Sequence, residues 1–245
     1  MLNRLWTKIL TKKKTTTSFD VQDKIDAAEF FLDKNKKSVY LIAGAILLIA
    51  GAIFAYKFWY MPSQEKDAQK ISFYSFQEFE KDSLNQAIKG GQKVQTSTKR
   101  TITAPGLTKI ESEFSGTKTA NLATYQLGCA YMRQGQFTKA IEKFESFSSD
   151  DVMLSSIALG AIGDCNLELK KSEEAIKYYL KAADKNPNQF STPIFLKKAG
   201  MTYEADKKYA EALSTYERVQ REYSKSQEAR DMPKFITRVK ILGNL

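Results

Sequence analysis

Three glycines, three alanines and three aromatic residues recur in one register, and this constrains the fold more than any other feature of the chain. Gly128, Ala140 and Phe144 form the first set, Gly163, Ala175 and Tyr179 the second, and Gly200, Ala212 and Tyr216 the third. In each set the alanine follows the glycine by 12 positions and the aromatic follows the alanine by 4, while successive sets are offset by 35 and 37 residues. A period of this length marks stacked units, since one helix pair cannot bury its apolar face alone and must share it with the next. Glycine and alanine let the two helices of a hairpin approach closely, and the aromatic fills the space toward the following pair.

The sets resemble the tetratricopeptide repeat, in which a leucine-glycine pair is followed by a tyrosine three positions on, then by alanine and an aromatic. Here the elements are Leu127-Gly128 with Tyr131, Ile162-Gly163 with Asn166, and Ala199-Gly200 with Tyr203. Asn166 departs from the pattern and predicts looser packing in the second repeat. The long offsets imply short insertions at residues 148–151 and 186–193. The fold class expected is all-α, a single N-terminal transmembrane helix followed by a tetratricopeptide-repeat α-solenoid with three repeats over residues 119–225.

In tetratricopeptide proteins the first helices of successive hairpins line a concave groove, and the resemblance nominates its residues here. They are Leu122, Tyr125, Cys129, Met132 and Arg133, then Ile157, Asp164, Leu167 and Glu168, then Ile194, Lys197, Met201 and Glu204. This mixture of apolar and charged groups suits an extended or helical peptide better than a small molecule. The competing reading is that part of the set packs between repeats.

An open stack needs closure at both ends. Residues 62–118 supply the upstream end, with a helical stretch over 64–89 that carries Ile71, Tyr74, Phe76, Phe79 and Leu84, and a short helix near 107–114. Between them GGQKVQTSTKRTITAPG reads as an exposed connector, rich in glycine, threonine and basic residues. Residues 226–245 read as a capping helix with Phe235, Ile236, Val239 and Ile241. Pro233 would kink a helix begun at Ser226, so the expected start is near Asp231.

From Val39 to Tyr56 the chain reads VYLIAGAILLIAGAIFAY, without a charge. At about 1.5 Å per residue this run approaches the roughly 30 Å of a bilayer core, and the flanking aromatics extend it to a span over residues 38–61. Tyr56, Trp59 and Tyr60 form an aromatic collar on one side. Lys8, Lys12, Lys13, Lys14, Lys34, Lys36 and Lys37 precede the span, whereas Lys57, Lys66 and Lys70 follow closely. The positive-inside rule then keeps residues 1–37, a polar stub with a juxtamembrane helix, in the cytoplasm and exports the rest. A cleaved signal peptide competes, but its apolar core is shorter and nearer the start. A buried core helix would have to hide its apolar residues on every face, which a domain of this size does not allow.

The chain has no histidine, which removes the commonest general base, the commonest metal ligand and any Ser-His or Cys-His pair. No enzyme activity, cofactor, metal or small-molecule substrate is expected. Cys129 and Cys165 lack CxxC spacing and read as free buried thiols. Lysine and arginine exceed the acids by ten, but the excess is dispersed and forms no nucleic-acid-binding stripe.

The layout, a basic stub ending AEFFLDKNKK, one span and then repeats, resembles the YfgM-like family of membrane-anchored repeat proteins. ALGAIGD, TPIFLKKAG and EALSTYERV look like stretches of related Bacteroidota proteins. The resemblance implies the bacterial inner membrane, a cytoplasmic N-terminus and a periplasmic C-terminal domain. It also implies an accessory of the Sec translocon, working beside a membrane-anchored periplasmic prolyl isomerase to receive nascent envelope proteins. An adaptor binding one fixed folded partner in another envelope assembly is the alternative.

Overall fold

A computed structural model describes residues 24–26, 29–32, 34–95 and 101–245. The polar run of the stub lies outside the described residues, as do residues 96–100. The chain divides into two compact units, Met1–Tyr60 and Met61–Leu245.

In the first unit, residues 24–26 and 29–32 are helical. Helix α1 (Lys36–Ala55) has 20 residues and buries none of them. It passes into a wider π-helical turn at Tyr56–Tyr60, where Phe58 stacks on Phe54 at 4.5 Å and Tyr60 on Tyr56 at 5.5 Å between ring centroids. The apolar window long enough to cross a membrane falls within the helical run Lys36–Glu80, a longer helix than the 38–61 expected, and none of the window is buried.

The second unit opens with α2 (Met61–Glu80), α3 (Leu84–Lys89), β1 (Gly90–Gln95), β2 (Thr101–Pro105) and α4 (Leu107–Glu113). Three helix pairs follow: α5 (Lys118–Arg133) with α6 (Phe137–Ser146), α7 (Val152–Glu168) with α8 (Ser172–Lys185), and α9 (Ser191–Ala205) with α10 (Tyr209–Glu222). Helix α11 (Gln227–Gly243) packs on α10.

Each pair turns by one device. Gly135, Lys170 and Lys207 take left-handed backbone, with φ of 72°, 62° and 59°. The next residue donates its N–H to the carbonyl five back, Gln136 to Tyr131, Lys171 to Asn166 and Lys208 to Tyr203. Asp82, with φ of 60°, and the Ser83 N–H on the Glu78 carbonyl repeat this device between α2 and α3. The stretch expected as one helical region over 64–89 is therefore a further hairpin, without the Gly-Ala-aromatic set.

A Cβ built at Gly135 meets nothing within 4 Å. Gly135→Ala thus probes the backbone alone and is expected to cost about 1 kcal/mol. Lys170 and Lys207 are exposed, so Lys170→Gly and Lys207→Gly relieve the same strain and are expected to add about 0.5–1 kcal/mol each. Urea midpoints measure both, and an unchanged midpoint for Gly135→Ala would discard the strain account.

The recurring sets are explained by close approach. A Cβ on Gly128 would lie 2.8 Å from the Phe144 ring, one on Gly163 2.6 Å from Tyr179, and one on Gly200 2.4 Å from Tyr216. Ala140, Ala175 and Ala212 are fully buried beside them. The rings also reach the next pair: Phe144 shares a cluster with Ala158 and Ile162 of α7, and Tyr216 lies 5.2 Å from Phe235 of α11.

Three expectations are corrected. The connector is an antiparallel hairpin, pairing Lys93 with Thr103, Val94 with Ile102 and Gln95 with Thr101, so the second unit is helical with one two-stranded element rather than all-α. Its β-branched residues favour extended backbone, and Gly90 and Gly106 approach so closely that a Cβ on Gly90 would sit 2.3 Å from the Gly106 nitrogen. Ser75 Oγ donates to the Pro105 carbonyl, and Thr108 Oγ1 donates to the Ile88 carbonyl at 2.9 Å. Secondly, α11 begins at Gln227 rather than near Asp231, capped by Ser226 Oγ accepting from the Ala229 N–H at 3.1 Å. Pro233 sits on its exposed face, where a lost ladder bond is compensated by the buried Ala229, Met232 and Val239 opposite. Thirdly, Asn166 is buried and donates to the Ile162 carbonyl at 2.9 Å, so its polarity is absorbed by its own helix.

The opening hairpin is fastened to the repeats by Glu65 of α2. Its carboxylate accepts the Lys118 N–H at 2.7 Å, the Thr119 N–H at 3.3 Å and the Thr119 hydroxyl at 2.7 Å, all at the start of α5. Burial alone would raise its pKa, but the hydrogen bonds from Thr119, Gln69 and Lys118 outweigh it and hold the carboxyl below its ordinary 4.5. A lowered folded pKa stabilises above the unfolded value and is lost as pH falls through the folded one. Glu65→Gln is therefore expected to flatten the acid limb of stability below about pH 4.5, read by circular dichroism; an unchanged limb would remove Glu65 from the linkage.

Candidate protein-binding face

The first helices of the pairs, α5, α7 and α9, carry the nominated residues at equivalent positions. Six residues before each key glycine stand Leu122, Ile157 and Ile194, which remain 38%, 38% and 41% exposed. Each first helix thus presents one partly exposed aliphatic side chain at the same repeat position. Leu167 and Met201 are exposed further along α7 and α9.

Other nominated residues turn inward. Tyr125, Cys129 and Met132 are half-buried against the cluster of Ala140, Phe144 and Ala158. Tyr125 lies 5.7 Å from Phe144 and 5.1 Å from Phe147 between centroids. Cys165 joins the same cluster, and both cysteines are unbridged. Burial raises the Cys129 thiol, and burial with the nearby Asp164 pushes Cys165 up to about 12, so neither presents a thiolate near neutrality.

The charged members mostly hold the stack together. Asp164 accepts both oxygens' bonds from Lys198 Nζ at 2.7 Å and the Tyr179 hydroxyl at 2.7 Å. Glu204 takes Arg238 in a fork at 2.6 and 2.8 Å and the Tyr216 hydroxyl at 3.1 Å. Burial first, and then these carboxylates, raise the pKa values of Tyr179 and Tyr216, keeping both phenols protonated as donors. Lys197 pairs with Asp231 at 3.0 Å and lies over the Phe235 ring at 5.2 Å. Arg133 pairs with Asp82 at 3.1 Å and lies over Phe79 at 5.1 Å. Glu168 alone of the five has no ion-pair partner among the described residues.

Among the exposed apolar residues that went unnominated are Met153, Phe190 and Phe73. Met153, 49% exposed, stands four before Ile157 on α7, and Phe190, 75% exposed, stands four before Ile194, immediately ahead of α9. That spacing is legible in sequence and would have found them. Phe73 of α2 shares a cleft of about 420 Å³ with Leu122. No repeat motif marks it, so only the fold reveals its place.

Sequence models of the tetratricopeptide repeat match residues 125–190 and 198–226. The fold is similar to the crystal structure of a tetratricopeptide repeat protein from Parabacteroides merdae ATCC 43184, with a TM-score of 0.54 and 18% identity over 73% of this chain and 61% of that one. This chain thus spans less than two thirds of that protein's length. It is also similar to BtubC (BKLC) from P. vanneervenii, with a TM-score of 0.52 and 13% identity over 83% of this chain and 82% of that one. No curated protein matches. Residues 125–226 thus carry tetratricopeptide repeats, and the fold is that of a tetratricopeptide-repeat solenoid. Repeats of this class imply a scaffold for protein–protein interaction, with proteins as partners.

Proposed function

We propose that this chain is a membrane-anchored scaffold whose first-helix face binds other polypeptides without catalysing a reaction. The carrying observation is the row Leu122, Ile157 and Ile194, exposed at one position of three successive repeats. The anchor is residues 38–61: α1 is apolar on all sides, about 30 Å long at its 20 residues, and followed by Trp59 and Tyr60 at the height of an interface. The lysine excess before it supports a cytoplasmic N-terminus, with the repeats on the periplasmic side of a bacterial inner membrane. Within this reading the partner role implied by the YfgM-like resemblance is that of a Sec translocon accessory that receives nascent envelope proteins beside a prolyl isomerase.

A photo-crosslinking amino acid placed at Ile157 or Ile194 in intact membranes tests the binding face. Capture of many newly exported chains supports the translocon role, one stoichiometric partner supports an adaptor, and no adduct rejects the face itself. Protease added outside spheroplasts should degrade the repeats; protection with the membrane intact rejects the orientation.

A further inference from the structure

Resting on the binding face proposed above, we infer that its partner is an uncharged, apolar polypeptide segment rather than an acidic or basic tail. Four of the five charges nominated on this face are already paired within the chain, Glu168 being the exception among the described residues. Asp164 is neutralised by Lys198, Glu204 by Arg238, and Lys197 by Asp231. Asp151 is spent on its own helix, accepting the Met153 and Leu154 N–H groups at 2.9 and 2.7 Å. Lys118 and Asp150, of opposite sign, line one cleft of about 330 Å³ beside Leu122. An acidic segment laid here would meet the unpaired Glu168 as a like charge, and a basic one would lose hydration against charges that are mostly already paired, a cost that an apolar segment does not meet.

Apart from Glu168, what the nominated face leaves open is aliphatic and aromatic. Met153 with Ile157 and Phe190 with Ile194 are exposed, each four residues apart in the chain, and Leu122 and Phe73 share one cleft. Removing these side chains from water is the available driving force, and it is insensitive to ionic strength.

The test uses the full chain in nanodiscs and three fluorescein-labelled peptides of about fifteen residues. One is built from Leu, Ile, Ala, Ser and Asn, and the others replace its aliphatic residues by Asp or by Lys. We expect the neutral peptide to bind at least about tenfold tighter than either charged one, with less than about a twofold change in Kd between about 0.05 and 0.5 M NaCl. Ile157→Lys with Ile194→Lys should weaken it by about tenfold or more, and Ile157→Ser with Ile194→Ser by less, since serine removes the apolar contact without adding a charge. Tighter binding of a charged peptide, lost steeply with salt and sensitive to the same variants, overturns this inference but leaves the binding face standing. Binding of the neutral peptide that ignores both double variants overturns the face as well.

Discussion

Gly200→Ala is expected to destabilise the repeat unit by about 2–3 kcal/mol, although alanine is the better helix former by about 1 kcal/mol. The added methyl would lie 2.4 Å from Tyr216 Cε1. That ring cannot swing aside: it is fully buried, its hydroxyl is held by Glu204, and Phe235 packs against it. Gly163→Ala, 2.6 Å from the Tyr179 ring, should follow with a similar loss. Urea denaturation of the full chain in nanodiscs measures both. The double variant Gly200→Ala with Tyr216→Leu should lose less than the sum of the single variants, by about 1 kcal/mol, because the smaller side chain makes room. Strict additivity would mean that glycine and ring are not in register, and the packing account of the repeat would go with it.

This register is why so much of the fold was legible. Gly128, Gly163 and Gly200 cannot be replaced without moving an aromatic ring, so the constraint is written in residue type and spacing. The turns left a weaker trace. Gly135 announces a left-handed residue, but Lys170 and Lys207 adopt the same backbone with side chains that carry no such signal, and Asp82 with one that carries a weaker signal than glycine. The hairpin of α2 and α3 was missed for that reason: its turn residue is Asp82, and no Gly-Ala-aromatic set accompanies it. The strands were missed because Gly90, Gly91 and the threonines read equally well as loop, and pairing across the hairpin is non-local.

For the binding face, sequence position alone could not separate residues that look outward from those that look along the stack. Leu122, Ile157 and Ile194 were nominated beside Asp164, Glu204 and Lys197 by the same repeat arithmetic. The difference lies in partners about one repeat away: Lys198 is 34 residues from Asp164, Arg238 34 from Glu204, and Asp231 34 from Lys197. Charges at that spacing bridge equivalent helices of neighbouring pairs. They were visible in the sequence, yet opposite charges about one period apart are common, and geometry is needed to show which of them meet. Where they meet, they tie one repeat to the next.

Met232→Ala should cost about 2–4 kcal/mol and should do so locally. Met232 is fully buried where α11 closes the last pair, in a cluster with Tyr216, Val219 and Val239. In a stack whose members touch mainly their neighbours, the loss falls on the adjoining interface instead of the whole array. Hydrogen exchange is then expected to quicken in α11 and α10 while the amides of α5 and α6 keep their protection. Pro233→Ala, one residue on, removes no buried group and restores a backbone N–H, so it should raise stability by up to about 3 kcal/mol and serves as the control for position in the helix. If Met232→Ala accelerated exchange equally from α5 to α11, the repeats would be unfolding as one cooperative body, and α11 would be a keystone of the whole unit rather than the cover of its last pair.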